Sequence, residues 1–581
     1  MPANSVRTTT SPGPSTLLVV IIILACAATS MVAGNLQGVF AGKLIDTDSY
    51  ARVSRIEAML EAGRVLQYTP RDNSGLNIAL HWTHLLDAMI FLLVLPLRLF
   101  FPLPEALRLA GAAIGPLSTA MVAMAAFQAV RLAAGSGRNA ITSAVLAALA
   151  PGIVAYGAFG RADHHVVLAA IAVIMPALAY VAGASGRGLT LAVAAGVLGG
   201  LGEWMSPEAL PFVLFAWGIA ALRDVEAGRR VGPRTLALAV GHLAVLALGL
   251  LIDAPASGRL AHEVDRLSLV YVELAAGMVV VPLILRRFVP APASLWPASI
   301  LAGAILAAPL IAWIAHYPGV LKGAGGIFSA EAIERVWQYV AEMQPVSSAD
   351  NLGLMIILPA LVLALSLGAL LWRSRTPMAL LLAGFAVFLI FIGIKHVRFA
   401  MYPQLAAVVA LGVVIEIVTR RGAMGAWRLA LVAAWFGLLA GPYVLSSILP
   451  SHDRAARQGG ACDPRLLARD LEPLAGQIVL TPFSDAPEIL YFTHMVTVAG
   501  PYHRAERLIM RSMDAFDETR FAGASVPASF AATKAKAVLV CTRDRAKAGT
   551  LWAALKEGRP PDWLIERPLD AKSGYRLYVL R

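Results

Sequence analysis

Gly160-Arg161-Ala162-Asp163-His164-His165 stands at the seam between two apolar runs, residues 139–158 and 165–184. A carboxylate and two imidazoles at the end of a membrane helix are unfavourable in hydrocarbon and mark a functional site. Asp163 and His165, one residue apart, can both reach a divalent cation if the chain bends there. His164 reads as packed or solvent-facing. Two acidic clusters far away in sequence can complete such a site. One is Asp46-Thr47-Asp48-Ser49-Tyr50, the other Val340-Ala341-Glu342-Met343-Gln344-Pro345.

Whether the three clusters can meet depends on topology. The chain has 581 residues, 58% hydrophobic and 14% charged, with a mean hydropathy of +0.70. Soluble proteins carry about 25% charge, so this is an α-helical polytopic membrane protein. Its net charge of +12 would suggest nucleic acid in a soluble protein. Here the arginines sit in short loops between apolar runs, which is a topology signal. Nucleic-acid binding is excluded on that ground. Thr16–Ala33 has the look of a signal peptide, but its length makes it an uncleaved anchor.

Residues 85–104 decide the topology. They are apolar but interrupted by Pro96 and Arg98. If they do not span, later helices fall near 106–132, 139–158, 165–184, 188–203, 208–222, 235–252, 267–285, 295–315, 353–372, 378–394, 399–418 and 429–448. The loops then falling inside carry Arg131, Arg138, Arg187, Arg223, Arg229, Arg230, Arg234, Arg286, Arg287, Arg373, Arg375, Arg420, Arg421 and Arg428. The outer loops are poorer in positive charge. A spanning 85–104 would reverse every one of them, against the positive-inside rule. Residues 85–104 are therefore interfacial or re-entrant, and the crossings number about thirteen. All three clusters then lie on the external side, and so does everything after residue 449.

Residues 1–449 form the membrane domain, with external loops 38–105 and 316–352. Residues 450–581 read as a small soluble domain. Ala475–Thr481 and Ala537–Cys541 look like buried strands, and Arg465–Leu474 and Ala546–Glu557 like helices, which together suggest a compact α/β unit. Of the three cysteines, Cys462 and Cys541 lie in this domain, and on the oxidising side of a membrane they can form a disulfide. No Walker loop, GxGxxG or CxxC occurs.

A hard cation wants oxygen ligands with an occasional imidazole. Asp48, Asp163, His165 and Glu342 supply that, and Asp46 is a second candidate in its cluster. Lys395-His396-Val397-Arg398-Phe399 is a basic cluster at the outer end of a helix, and Arg398 suits phosphate oxygens. The bland alternatives are a solvated loop carboxylate for Asp46 and a snorkelling cation for Arg398. His81, Trp82 and His84 read either as interface anchors or as substrate contacts.

These clusters resemble the catalytic subunits of oligosaccharyltransferases, in the GT-C class of membrane glycosyltransferases. In that family an Asp of the first external loop precedes an aromatic residue, as Asp48 does in Thr47-Asp48-Ser49-Tyr50. The second external loop carries D-x-D, D-x-E or D-x-H, and Asp163-His164-His165 is D-x-H. The fifth carries a Glu followed by Gln-Pro, matched by Glu342 with Gln344-Pro345. An Arg-Phe pair that contacts the donor phosphates follows, matched by Arg398-Phe399. The resemblance covers about residues 15–450.

It implies a GT-C-like fold with a C-terminal external α/β domain. It further implies a divalent metal, Mg2+ or Mn2+, and a sugar donor linked to a polyprenyl (di)phosphate. Asp48, Asp163 and Glu342 would be catalytic, with His165 a further metal ligand. Arg398 and His396 would bind donor phosphate, and Asp46, His81, His164 and Gln344 are further candidates. The setting would be a bacterial inner membrane, with the C-terminal domain in the periplasm. The family's W-W-D-Y-G motif is missing: the comparable place reads Thr481-Pro482-Phe483-Ser484-Asp485-Ala486-Pro487-Glu488. The acceptor is therefore left open among protein, lipid and glycan. The alternative is a transporter or flippase of lipid-linked sugars, although transporters tend to show internal repeats and midplane charges.

Overall fold

The structure, a computed structural model, describes residues 14–34, 36–69, 71, 76, 78–134, 137–183, 186–345, 352–420 and 462–581. The helix expected at 429–448 lies outside the described residues. Up to the first site turn the helices are α1 (Thr16–Ala33), α2 (Leu36–Phe40), α3 (Thr47–Ala62), α4 (Leu85–Leu97), α5 (Leu103–Ala134), α6 (Gly137–Ala148) and α7 (Pro151–Tyr156). Then come α8 (His165–Val181), α9 (Gly188–Met205), α10 (Leu210–Gly228), α11 (Pro233–Ile252), α12 (Leu269–Phe288) and α13 (Leu295–His316). After these lie α14 (Ala330–Val336), α15 (Leu352–Arg373), α16 (Pro377–Lys395) and α17 (Met401–Arg420). Among the described residues, seven helices are long and apolar enough to cross a membrane, and the protein is an integral membrane protein.

Local chemistry sets the helix ends. Asp46 caps α3, and Gly63 closes it in the left-handed region at φ 62°. Thr376 caps α16 with Pro377 just inside, where a missing N–H does no harm. The run expected as one span over 139–158 is two helices, because Pro151 starts α7 instead of continuing α6. At 13 residues, α4 is about 20 Å long, short of the roughly 30 Å of hydrocarbon. This agrees with a segment that does not cross.

The main core packs α8 through α12 with α16 and α17. α9 and α11 run parallel and meet backbone to backbone through glycines. A Cβ on Gly241 would lie 2.7 Å from the Val193 carbonyl oxygen, and one on Gly200 2.6 Å from the Val245 Cβ. Near this seam the fully buried Glu203 and His242 are joined by a 2.9 Å hydrogen bond. A second core joins α3, α4 and α5.

The C-terminal domain carries a five-stranded sheet in the order β2-β1-β3-β5-β4. β1 (Ile478–Leu480) pairs in parallel with both β2 (Val496–Thr497) and β3 (Ala537–Cys541). β5 (Tyr575–Leu580) runs antiparallel to β3 and to β4 (Leu564–Arg567). Cys462 and Cys541 form a disulfide. The domain is docked on the first loop. Tyr50 packs against Tyr491 at 5.2 Å between ring centroids, Lys43 pairs with Asp463 at 3.2 Å, and Arg71 donates to the Leu490 carbonyl at 3.0 Å. A shared apolar cluster joins Trp82 and Val336 to Phe483 and Tyr502.

Candidate active site

The first loop and the 160–165 turn are clamped together. One Asp46 oxygen accepts from Ser49 N at 2.8 Å, and the other from Arg161 Nε. The Ser49 hydroxyl accepts from Ala162 N at 2.8 Å. The Gly160 carbonyl accepts from Ile45 N at 3.0 Å. Gly160 itself has φ 106°, a conformation that suits glycine, and a Cβ there would meet Val39 at 2.8 Å. Both oxygens of Asp46 are thus engaged in a helix cap and an ion pair. Asp48 has no such partners. Burial raises its pKa well above the usual range, and the nearby carboxylates of Asp46, Asp163 and Glu342 add to the rise.

Asp163, His164 and His165 present ligand atoms that all lie within 4.8 Å of one another. Among the described residues this is the group tight enough to share a cation; Asp48 and Glu342 stand around it. Asp163 Oδ1 lies 2.9 Å from His164 Nδ1, and Oδ2 lies 3.6 Å from His165 Nε2. Burial would raise the Asp163 pKa, but His165, His164 and Arg161 outweigh it and hold the carboxyl well below its usual range. Burial and the neighbouring His165 push His164 down. An ionised carboxylate beside a neutral imidazole is a metal-binding donor set, and so the residues fit a divalent cation. His164, read from sequence as packed or solvent-facing, sits inside this group.

Glu342 arrives on the turn Ala341–Met343, and Arg398 on the turn Val397–Ala400. Val397 N donates to the Gln344 carbonyl at 3.1 Å, and His396 Nδ1 lies 2.8 Å from the Met343 carbonyl oxygen. The Gln344 side chain donates to the Trp337 carbonyl. His396 and Gln344 thus hold the two turns together. Glu342 accepts from the Tyr156 hydroxyl at 3.4 Å, and its other oxygen lies 3.7 Å from Arg398 Nη1.

Sequence reasoning missed Glu208 and Arg52. Glu208, on the turn Pro207–Ala209, pairs with Arg398 through Oε1, and its Oε2 lies 3.6 Å from His165 Nδ1. It therefore joins the Glu342–Arg398 pair to the Asp163 group. Burial would raise its pKa, but Arg398 and the two histidines hold it below the usual range. Arg52 Nη2 lies 3.5 Å from His164 Nδ1, and its guanidinium rests 4.2 Å from the centroid of the Trp82 ring. Glu208 opens a helix, and Asp48 and Arg52 are spaced i, i+4 on α3, but neither feature marks a site by itself.

His81, Trp82 and His84 are not interface anchors. Trp82 is buried between Arg52 and Tyr502. His84 Nδ1 lies 2.7 Å from Asp253, and Nε2 2.9 Å from the Leu66 carbonyl oxygen. The His81 ring lies 4.1 Å from that of His503, tilted by 44°; burial and that second imidazole keep its pKa well below normal.

A superposable architecture exists. The oligosaccharyltransferase AglB from Archaeoglobus fulgidus, solved with an inhibitory peptide and a dolichol-phosphate, matches with TM-score 0.67 and 16% identity over 90% of this chain and 69% of that one. The chain shares the fold of this oligosaccharyltransferase. The apo form of the A. fulgidus enzyme gives the same four figures. Its complex with Zn and sulfate matches with TM-score 0.59 and 16% identity, over 90% of this chain and 68% of that one. Searches against protein-family models and against curated proteins find no match. In this fold the three acidic clusters around Asp48, Asp163 and Glu342 converge on one end of the helix bundle, with the C-terminal domain docked beside them.

Proposed function

We propose that the protein is a metal-dependent glycosyltransferase that moves a sugar or oligosaccharide from a polyprenyl-phosphate-type donor to an acceptor on the external face of the membrane. The observation that carries this reading is the meeting of Asp163, His164 and His165 with Arg398, Glu208 and Glu342 at one end of an oligosaccharyltransferase fold. Asp163, His164 and His165 would hold the cation, with Asp48 and Glu342 beside it. When bound, a divalent cation supplies positive charge against the phosphate oxygens of the departing lipid. The mixed carboxylate–imidazole set suits Mn2+ better than Mg2+.

Arg398 binds donor phosphate through its guanidinium. Asp48 orients the acceptor nucleophile. Tyr156 steers Glu342 through its hydroxyl. The place of the W-W-D-Y-G motif has no Trp pair, and the acceptor is left open among protein, lipid and glycan. The disulfide and the topology fit a bacterial inner membrane with a periplasmic C-terminal domain.

The test is sugar transfer by the purified protein in detergent, with the acceptor class found by mass spectrometry of glycans and glycolipids in a deletion strain. An enzyme transfers without a sealed membrane; a flippase shows no transfer there. Reporters inserted after Arg230 and after Ser257 should lie on the cytoplasmic and external sides. Finding both on one side would defeat the shared site.

A further inference from the structure

Arg398 is a crowded phosphate ligand. Its Nη2 is taken by Glu208, and its Nη1 lies 3.7 Å from Glu342. Its Nε is buried and has no hydrogen-bond partner. An unencumbered arginine grips a phosphate with two parallel N–H groups; here both terminal nitrogens already face carboxylates. The other guanidinia around the site are also committed. Arg161 is paired with Asp46, and Arg52 lies 3.5 Å from Asp87. Among the described residues, no guanidinium at the site lacks a facing carboxylate.

Glu208 is the unusual member of this set. It sits at the entrance to α10, its Oε1 is on Arg398, and its buried Oε2 has no hydrogen-bond partner and lies 3.6 Å from His165 Nδ1. It adds one negative charge where a donor must place its own phosphate. A sugar monophosphodiester of a polyprenol carries one negative charge, and the diphosphate carries two. The second charge would face Glu208 and Glu342 with no free arginine to meet it.

Building on the glycosyl-transfer reading above, we propose that Glu208 selects the donor by phosphate count, so that the site takes polyprenyl monophosphate-linked sugars and rejects diphosphate-linked ones. Glu208 does so by occupying one arm of Arg398 and by repelling a second phosphate. It is a specificity residue rather than a catalytic one.

The experiment measures binding of an undecaprenyl phosphoryl-hexose and the matching undecaprenyl diphosphoryl-hexose to the full-length protein in detergent micelles, by native mass spectrometry under competition. The wild type should prefer the monophosphate by at least about tenfold, the scale of one unscreened like-charge contact at several ångströms. Glu208→Gln keeps the side-chain shape and removes the charge. It should strengthen diphosphate binding by about tenfold while changing monophosphate binding less. A loss of packing alone would weaken both lipids together. Equal binding of the two lipids by the wild type, or an unchanged ratio in Glu208→Gln, overturns the selection while leaving the donor reading intact. Failure of the wild type to bind either lipid overturns the donor reading and the selection with it. The wild-type preference is decisive even if the variant fails to fold.

Discussion

Two groups of carboxylates, one at the membrane end and one in the C-terminal domain, respond differently to burial. At the membrane end, Asp163 and Glu208 are buried yet held below their usual pKa, because histidines and arginines face them. In the C-terminal domain, burial pushes Asp485 up to about 6, Glu488 to about 7 and Asp544 to about 7, with neighbouring carboxylates adding to the last two. Asp485 accepts from the Ser484 hydroxyl at 3.0 Å, and Asp544 Oδ2 has no hydrogen-bond partner. Burial is common to both clusters, so the partners decide. Asp163 and Glu208 keep their charge and can do ionic chemistry, whereas Asp48 beside them, with carboxylates for neighbours, is pushed up. The second becomes neutral on mild acidification.

The largest effect should come from removing charge at the first cluster. Asp163→Ala and Glu342→Ala are each expected to lower sugar transfer by about 1,000-fold or more, the scale of losing a charge-stabilising group. Monodispersity and melting temperature should stay close to wild type, because little apolar area is lost. Wild-type turnover in Asp163→Ala would remove the contrast altogether. Next is Arg398→Ala, expected to raise the KM for donor by about 10- to 100-fold, more than it changes kcat. A fall confined to kcat would mean that Arg398 acts on the transition state instead.

The second cluster should affect stability rather than turnover. The disulfide joins residues 79 apart, and Cys462→Ser should destabilise the domain by about 2–4 kcal/mol. Two reactive thiols in wild-type protein, denatured without reductant, would refute the bond. The pH effect is smaller. These carboxylates ionise near pH 4 when unfolded but near pH 6 and 7 when folded. Their neutral forms therefore favour the folded state fully below about pH 4, and that contribution is lost as pH rises through about 6 to 7. Asp544→Asn should raise the melting temperature at pH 8 by about 3–6 °C and by less at pH 5. An equal gain at both would show that Asp544 is charged throughout.

Asp46→Ala should be mildest. It removes a helix cap at about 1 kcal/mol and should lower activity far less than Asp163→Ala. Parity between the two would make Asp46 part of the chemistry.

Much of this was legible from residue order. The D-x-H step and Arg398 announce themselves as charges at the ends of apolar runs, and Asp48 and Glu342 as acids in the polar loops between them. The strand Ala537–Cys541 is five buried apolar residues in a row, and the structure gives it the same bounds. Glu208 was hidden because Ser206-Pro207-Glu208 also reads as an ordinary helix start, with Ser206 capping and an acid complementing the helix dipole. Arg52 and Arg55 were hidden because two arginines on a polar helix look solvated. Their burial comes from Asp87 and Trp82, more than 25 residues onward, and no local pattern reports such a meeting. β4 and β5 went unseen because charged residues interrupt them: Glu566 and Arg567 in one, Arg576 in the other, where Arg576 pairs with Glu566 across the strands at 2.6 Å.

The glycine seam between α9 and α11 has a mechanical consequence. Two helices touching through their backbones leave almost no free volume between them, and close-packed interiors compress little. Hydrostatic pressure would therefore find nothing to squeeze between α9 and α11. The turn that carries Glu208, at the end of α9, and Asp253, at the end of α11, should keep their spacing under load. In this bundle the two helices act as one rigid strut, and the site is hung from one end of it.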